Sequence, residues 1–203
     1  MEQELTDFAV QLAGDGHVRR QLRGRLRDLL AQLDRHEGCV PGHSASVCEL
    51  AVTVAREVGV AEDELAVIAL GALVHDIGKV FIDGRVLAKP APLSDGQWDM
   101  IRLHPALGEA LLAPTLLDVS VLAVVRWHHE RWDGAGYPDG LGGEATPLAA
   151  RIVATADAYT AMREPRTYRP ALDEDDALDE LDQKAWTQFD GTCVRALLDS
   201  LTG

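Results

Sequence analysis

Two pairs of adjacent ligand-type residues carry the chemistry of this sequence. His75 and Asp76 stand side by side, with Gly78 and Lys79 just after them. Further along, His128 and His129 run straight into Glu130-Arg131-Trp132-Asp133-Gly134-Ala135-Gly136-Tyr137-Pro138. Imidazole and carboxylate without thiolate suit iron, manganese and similar ions better than a structural zinc cage. Neighbouring residues on a helix point about 100° apart, because 3.6 residues make a turn. Such a pair does not easily serve one ion twice in the same way. It fits two ions close together, with one member bridging or reaching the second. Two ions so placed clamp the attacking and leaving oxygens of an in-line phosphoryl displacement.

His43, His104 and Asp157 complete the candidate ligand set of His43, His75, Asp76, His104, His128, His129 and Asp157. The set takes five of the seven histidines, leaving His17 and His36 ahead of it. Each residue alone has an ordinary reading. A lone histidine is more often a satisfied core or surface group, and Lys79 alone reads as a helix C-terminal charge. Two adjacent pairs at predicted helix ends decide for the metal.

Those ligands need helices to hold them. Leu, Ala and Val recur at helical spacing, aromatic residues make up 5% of the chain, and β-branched runs are scarce. An all-α fold follows. Gly14-Asp15-Gly16 separates a short helix over about residues 4–13 from one running from His17 to about Asp34. In the latter, Leu22, Leu26, Leu29 and Leu33 form a seam about two heptads long, with Arg19, Arg20, Arg23 and Arg27 on another face. The seam either docks on its own domain, the commoner case, or meets a twin helix. A homodimer sharing this interface is predicted.

A helix opens at Gly42-His43-Ser44 and reaches about Val58, with Val47, Leu50, Val54 and Val58 as its inner stripe. Another covers about Ala61 to His75, ended by Gly78. Ser94 with Gln97 is a capping box, Pro105 starts a helix, and Leu117 to Trp127 gives one more. Residues 130–147 carry glycines and prolines too densely for an element, so they form a long functional loop. Pro147 starts a helix through Asp157 to about Met162. Asp173, Glu174, Asp175 and Asp176 open the next, where the helix dipole favours acid.

The formal net charge of −14 argues against sequence-blind binding of DNA or RNA. It leaves room for a small phosphate ligand, since bound cations reverse the local field. Cys39, Cys48 and Cys193 form no CxxC pattern, and their odd number suits reduced thiols. No apolar run reaches bilayer length and no signal-peptide pattern opens the chain, so a cytoplasmic protein is expected.

His75-Asp76-Ile77-Gly78-Lys79 resembles the signature of the HD metal-dependent phosphohydrolases. The stretch from His128 to Pro138 resembles that of their HD-GYP branch, the cyclic di-GMP phosphodiesterases. The likeness extends through Pro41-Gly42-His43-Ser44, Arg102-Leu103-His104-Pro105, Ala156-Asp157-Ala158-Tyr159, Arg166-Thr167-Tyr168-Arg169-Pro170 and Thr187-Gln188-Phe189-Asp190. It implies an HD-domain helical bundle over residues 36–203, with residues 1–35 as an N-terminal helical extension. It implies a phosphodiesterase of bacterial second-messenger signalling. The seven ligands, catalytic roles for Asp76 and Lys79, and contact of Lys79, Arg166 and Arg169 with substrate phosphates come with it. Tyr137 would stack on a base or meet a partner protein, the plainer alternative being turn packing.

The family pattern is broken at two places. Some members carry an extra carboxylate four residues before the first histidine; here Cys39 stands there, which favours two ions, iron or manganese. Arg163-Glu164-Pro165 replace small residues ahead of the arginine segment, a change expected to alter substrate fit. Cyclic di-GMP and a mixed cyclic dinucleotide remain open as substrates. The other readings are an HD phosphohydrolase of other nucleotides, and a silent module binding a cyclic dinucleotide or a diguanylate cyclase domain.

Overall fold

The computed structural model describes residues 16–115, 118–165 and 170–202, with side chains from Gly24 onward. The helices are α1 (Gly16–Asp34), α2 (His43–Val58), α3 (Leu65–Val74), α4 (Gly84–Leu87), α5 (Asp95–Ile101), α6 (His104–Leu112), α7 (Val119–Trp127), α8 (Leu148–Arg163), α9 (Glu174–Lys184) and α10 (Gly191–Thr202). A 3₁₀ turn, Ile77–Phe81, joins α3 to α4. Among the described residues every regular element is helical, and the sole β-type pairing is an isolated bridge, Ala185 to Phe189. No helix there is long and apolar enough to cross a membrane.

Helix α3 is the axis of the bundle. Its sequence, LAVIALGALV, is apolar all round, and every residue but Val67 is buried. A helix without a polar face must be enclosed, and α2, α7 and α8 enclose it. Helices α2 and α10 pack together as well, and α6 lies across the 3₁₀ turn and α7. Burying a leucine or isoleucine contributes roughly 1.5–3 kcal/mol. The fully covered Leu65, Leu73, Ile77, Leu112, Ile152 and Leu197 therefore fix the relative placement of these helices.

Local rules end the helices where the site needs them. Ser94 and Gln97 make the predicted capping box, Pro105 lies in the first turn of α6, and Asp173 accepts from the Asp176 N–H to cap α9. Asp118 likewise caps α7, accepting from the Ser120 N–H. The stripe expected on α2 is shifted. Val47 and Val54 are buried with Cys48, Ala51 and Ala55, while Leu50 and Val58 sit at the margin.

Gly78 does not end α3, which stops at Val74. It lies in the 3₁₀ turn, and a Cβ there would fall 2.0 Å from the His104 carbonyl oxygen. Glycine is required because α6 lands directly on the backbone of the His75–Asp76 turn.

The leucine seam is internal. Leu26, Leu30 and Leu33 are buried in the same core cluster as α3, with Leu29 packed at its edge. Leu30 thus takes the inner place expected of Leu29, and the side chain of Leu22 lies outside the described residues. Among the described residues, Leu26, Leu30 and Leu33 of the expected dimer seam are covered by the chain's own domain. The core runs without a break across the boundary expected at residues 35 and 36. The helix expected over residues 4–13 lies outside the described residues.

Candidate metal centre

Two helix C-termini converge on one spot. His75 and Asp76 follow the last turn of α3, and His128 is the C-cap of α7. The carbonyl end of a helix carries partial negative charge and favours a cation. His43 and His104 open α2 and α6, and Asp157 projects from the middle of α8.

All seven expected ligands meet there. Ligand atoms of Asp76, His104, His128 and His129 lie within 4.8 Å of one another, and so do those of His43, His75 and Asp157. Asp76 spans the two groups. Its Oδ1 is 3.3 Å from His104 Nε2, and its Oδ2 is 3.5 Å from His75 Nε2.

The hydrogen bonds fix the histidine tautomers. Nδ1 of His75, His104 and His128 lies 2.6, 2.7 and 2.9 Å from the carbonyls of Ala72, Ile101 and Val125. A carbonyl only accepts, so each Nδ1 carries a proton, and Nε2 is the ring atom turned to the centre and the one that would serve a metal. His104 Nε2 and His128 Nε2 nevertheless lie 3.2 Å apart. With both rings singly protonated at Nδ1, these atoms face each other as lone pairs, an arrangement that a cation between them would satisfy. Ligands about 2.1 Å from one ion sit about 3 Å from each other when adjacent, which matches this separation. His75 Nε2 and Asp76 Oδ1 are buried without any hydrogen bond, a defect costing about 1–3 kcal/mol each if nothing else satisfied them. The donor set fits divalent metal.

Protonation states agree. Burial, with nearby histidines, pushes His129 down to about 3 and His128 well below the usual range, so both are neutral. Burial alone would raise Asp76 and Asp157. Lys79 and His75 outweigh it at Asp76, and the bond to His43 does so at Asp157, so both stay ionised.

Lys79 was expected to face substrate. Its Nζ donates to Asp76 Oδ2 at 2.5 Å, so it touches a ligand as well as the space beyond. That space is a cavity of about 380 Å³, with His43, Asp76 and Lys79 on its polar wall and Leu33, Trp98 and Pro165 among its apolar lining. The Tyr137 ring stacks 4.8 Å from that of His129, with the Arg102 guanidinium 5.9 Å from the Tyr137 ring centroid. Arg166 and Arg169 lie outside the described residues.

Two further carboxylates matter that residue types alone did not reveal. Glu130 is buried, and its oxygens accept from the backbone N–H groups of Asp139, Gly140 and Leu141 at 2.7, 3.0 and 3.0 Å. It gathers the glycine loop around itself. The only sequence signal was a carboxylate abutting the histidine pair just ahead of that loop. Gly136 completes the fold of the loop, since a Cβ there would meet the Arg131 nitrogen at 2.5 Å. The second is Glu164, from the segment expected to tune substrate fit; its oxygens lie 3.0 and 3.1 Å from His43 Nδ1.

A family model described as HD domain matches residues 26–193. The chain is 38% identical over 190 residues to the cyclic di-GMP phosphodiesterase response regulator RpfG of Xanthomonas campestris pv. campestris, covering 92% of this chain and 50% of that protein. It is 32% identical over 160 residues to a 3′3′-cGAMP-specific phosphodiesterase of Vibrio cholerae, covering 79% of this chain and 35% of the relative. The chain therefore spans half or less of the length of these curated relatives. Among solved structures, Bd1817, an HDG"Y"P protein from Bdellovibrio bacteriovorus, superposes with a TM-score of 0.67 at 21% identity, over 79% of this chain and 52% of the other. That likeness is one of fold.

Proposed function

This chain belongs to the HD domain family, and on that premise we propose that it is a metal-dependent phosphodiesterase that hydrolyses a cyclic dinucleotide, most simply cyclic di-GMP. The observation that carries the reading is the convergence of seven ligand-type residues in two groups, with the Nε2 atoms of His104 and His128 facing each other and Asp76 shared between the groups. The relatives named for cyclic di-GMP and for 3′3′-cGAMP support the substrate class.

Two divalent ions, iron or manganese, suit the imidazole and carboxylate donors of this site. His104, His128 and His129 would hold one, His43, His75 and Asp157 the other, and Asp76 both. When bound, such ions lower the pKa of water and neutralise developing phosphoryl charge. The chain's own residues do the rest. Lys79 is held protonated because Asp76 and Asp157 overcome the effect of its burial. Its ammonium, at the cavity wall, places a point charge where a phosphoryl oxygen would lie. Arg166 and Arg169 act on the substrate phosphates. The apolar lining of Leu33, Trp98 and Pro165 receives a base of the substrate. The same reading makes the protein cytoplasmic, where its substrate is a signalling molecule.

The test is incubation of manganese- or iron-loaded protein with cyclic di-GMP and, separately, 3′3′-cGAMP, followed by chromatography. Linear dinucleotide or mononucleotide from one of them is expected. Intact cyclic dinucleotide in both reactions, with the ions demonstrably bound, would overturn the reading.

A further inference from the structure

The ligand histidines are not held alike. His75, His104 and His128 each turn Nδ1 to the carbonyl three residues earlier in the chain. That arrangement needs a preceding turn of backbone. His104 opens α6, but Ile101 at the end of α5 supplies its carbonyl. His43 opens α2 behind the loop at Pro41-Gly42, and the Val40 carbonyl takes its backbone N–H at 3.2 Å. The His43 ring is served instead by the carboxylate of Glu164, from the far end of α8. Its other nitrogen, Nε2, then points at Asp157 Oδ1, 3.0 Å away.

We propose that Glu164 is a positioning residue for the metal centre: it fixes the His43 ring with Nδ1 protonated and Nε2 presented to the ion of the His43–His75–Asp157 group, and strengthens that bond by its charge. A carboxylate behind a ligand histidine sets the tautomer and raises the basicity of the ring. The backbone carbonyls behind His75, His104 and His128 set the tautomer without a net charge. The two ions are therefore held unequally, and Glu164 acts on one of them. The segment that departs from the family pattern does its work on the metal side of the cavity. This inference rests on the two-ion reading.

Wild type, Glu164→Gln and Glu164→Ala, loaded with manganese without oxygen, are challenged with a graded series of chelator. Ions retained per chain are then measured by elemental analysis. Glu164→Gln keeps the side-chain shape but not the charge. It should release one of its two ions at about 10-fold lower chelator than wild type, and Glu164→Ala at up to about 100-fold lower. The second ion should leave at the wild-type concentration, a selectivity that general damage to the fold would not give. Equal retention of both ions by all three proteins overturns the proposal and leaves the two-ion reading standing. Parallel loss of both ions also overturns it, since Glu164 would then serve the fold as a whole. A wild type that binds no ion overturns both.

Discussion

Asp76 is the residue on which the centre depends most, because its two oxygens face different histidine groups. Asp76→Ala should lose turnover and metal together; retained turnover would remove its bridging role. Lys79→Ala should keep both ions and lose turnover, on the order of 100-fold or more, as expected for a group that stabilises developing charge. Metal loss in that variant, read by elemental analysis, would make Lys79 a support of Asp76 instead. His43 adds a pH dependence. Burial works to lower its pKa, but bonds to Asp157 and Glu164 outweigh this and hold it at about 9, above the ordinary 6.5. In metal-free protein the charged ring thus contributes stability in full below about pH 6.5, and that contribution is lost as pH rises through about 9. Thermal melting of metal-free protein should fall across this window, and His43→Gln should flatten the slope. An unchanged slope would show that the ring is not charged there. The seven clustered residues were legible because their types are rare in a helical core and two pairs are adjacent. Glu164 was not, because its partner lies 121 residues away and only the fold joins them.

At the scale of elements, the loop after α7 and the helix before α2 make the clearest claims. Glu130 holds three backbone N–H groups of the loop. Its replacement by alanine leaves them unpaired while opening a cavity, and should lower stability by about 2–4 kcal/mol. Denaturant unfolding with a change under about 0.5 kcal/mol would mean the loop stands without it. Helix α1 buries Leu26 and Leu30 in its own domain. Leu26→Ala should cost about 2–5 kcal/mol, with a melting temperature independent of protein concentration. A concentration-dependent melt would return the seam to a dimer interface. Capping signals at Ser94, Pro105 and Asp173 made these helix starts readable. The end of α3 near His75 was readable, but Gly78 three residues on answers to α6 pressing on its backbone, a tertiary demand that resembles a helix stop in sequence. The shift from Leu29 to Leu30 has a similar origin, since periodicity gives a face but not its exact bearing on the core.

Taken whole, the molecule is one helical core that brings two helix C-termini, two helix N-termini and the middle of α8 to a single point. The all-α class, and the residues that cluster at this point, could be read from residue types and spacing. The bridging place expected of Asp76 followed from its adjacency to His75; the cavity beside it could not be read, because it forms where the 3₁₀ turn meets the ends of α1 and α5 and the start of α2. The account stands or falls on a doubled metal centre. Its most direct test is elemental analysis of protein reconstituted with iron or manganese without oxygen, alongside Asp76→Ala. Two ions per wild-type chain, with marked loss from the variant, are predicted. One ion or none in the wild type, or an undiminished pair in the variant, would contradict it.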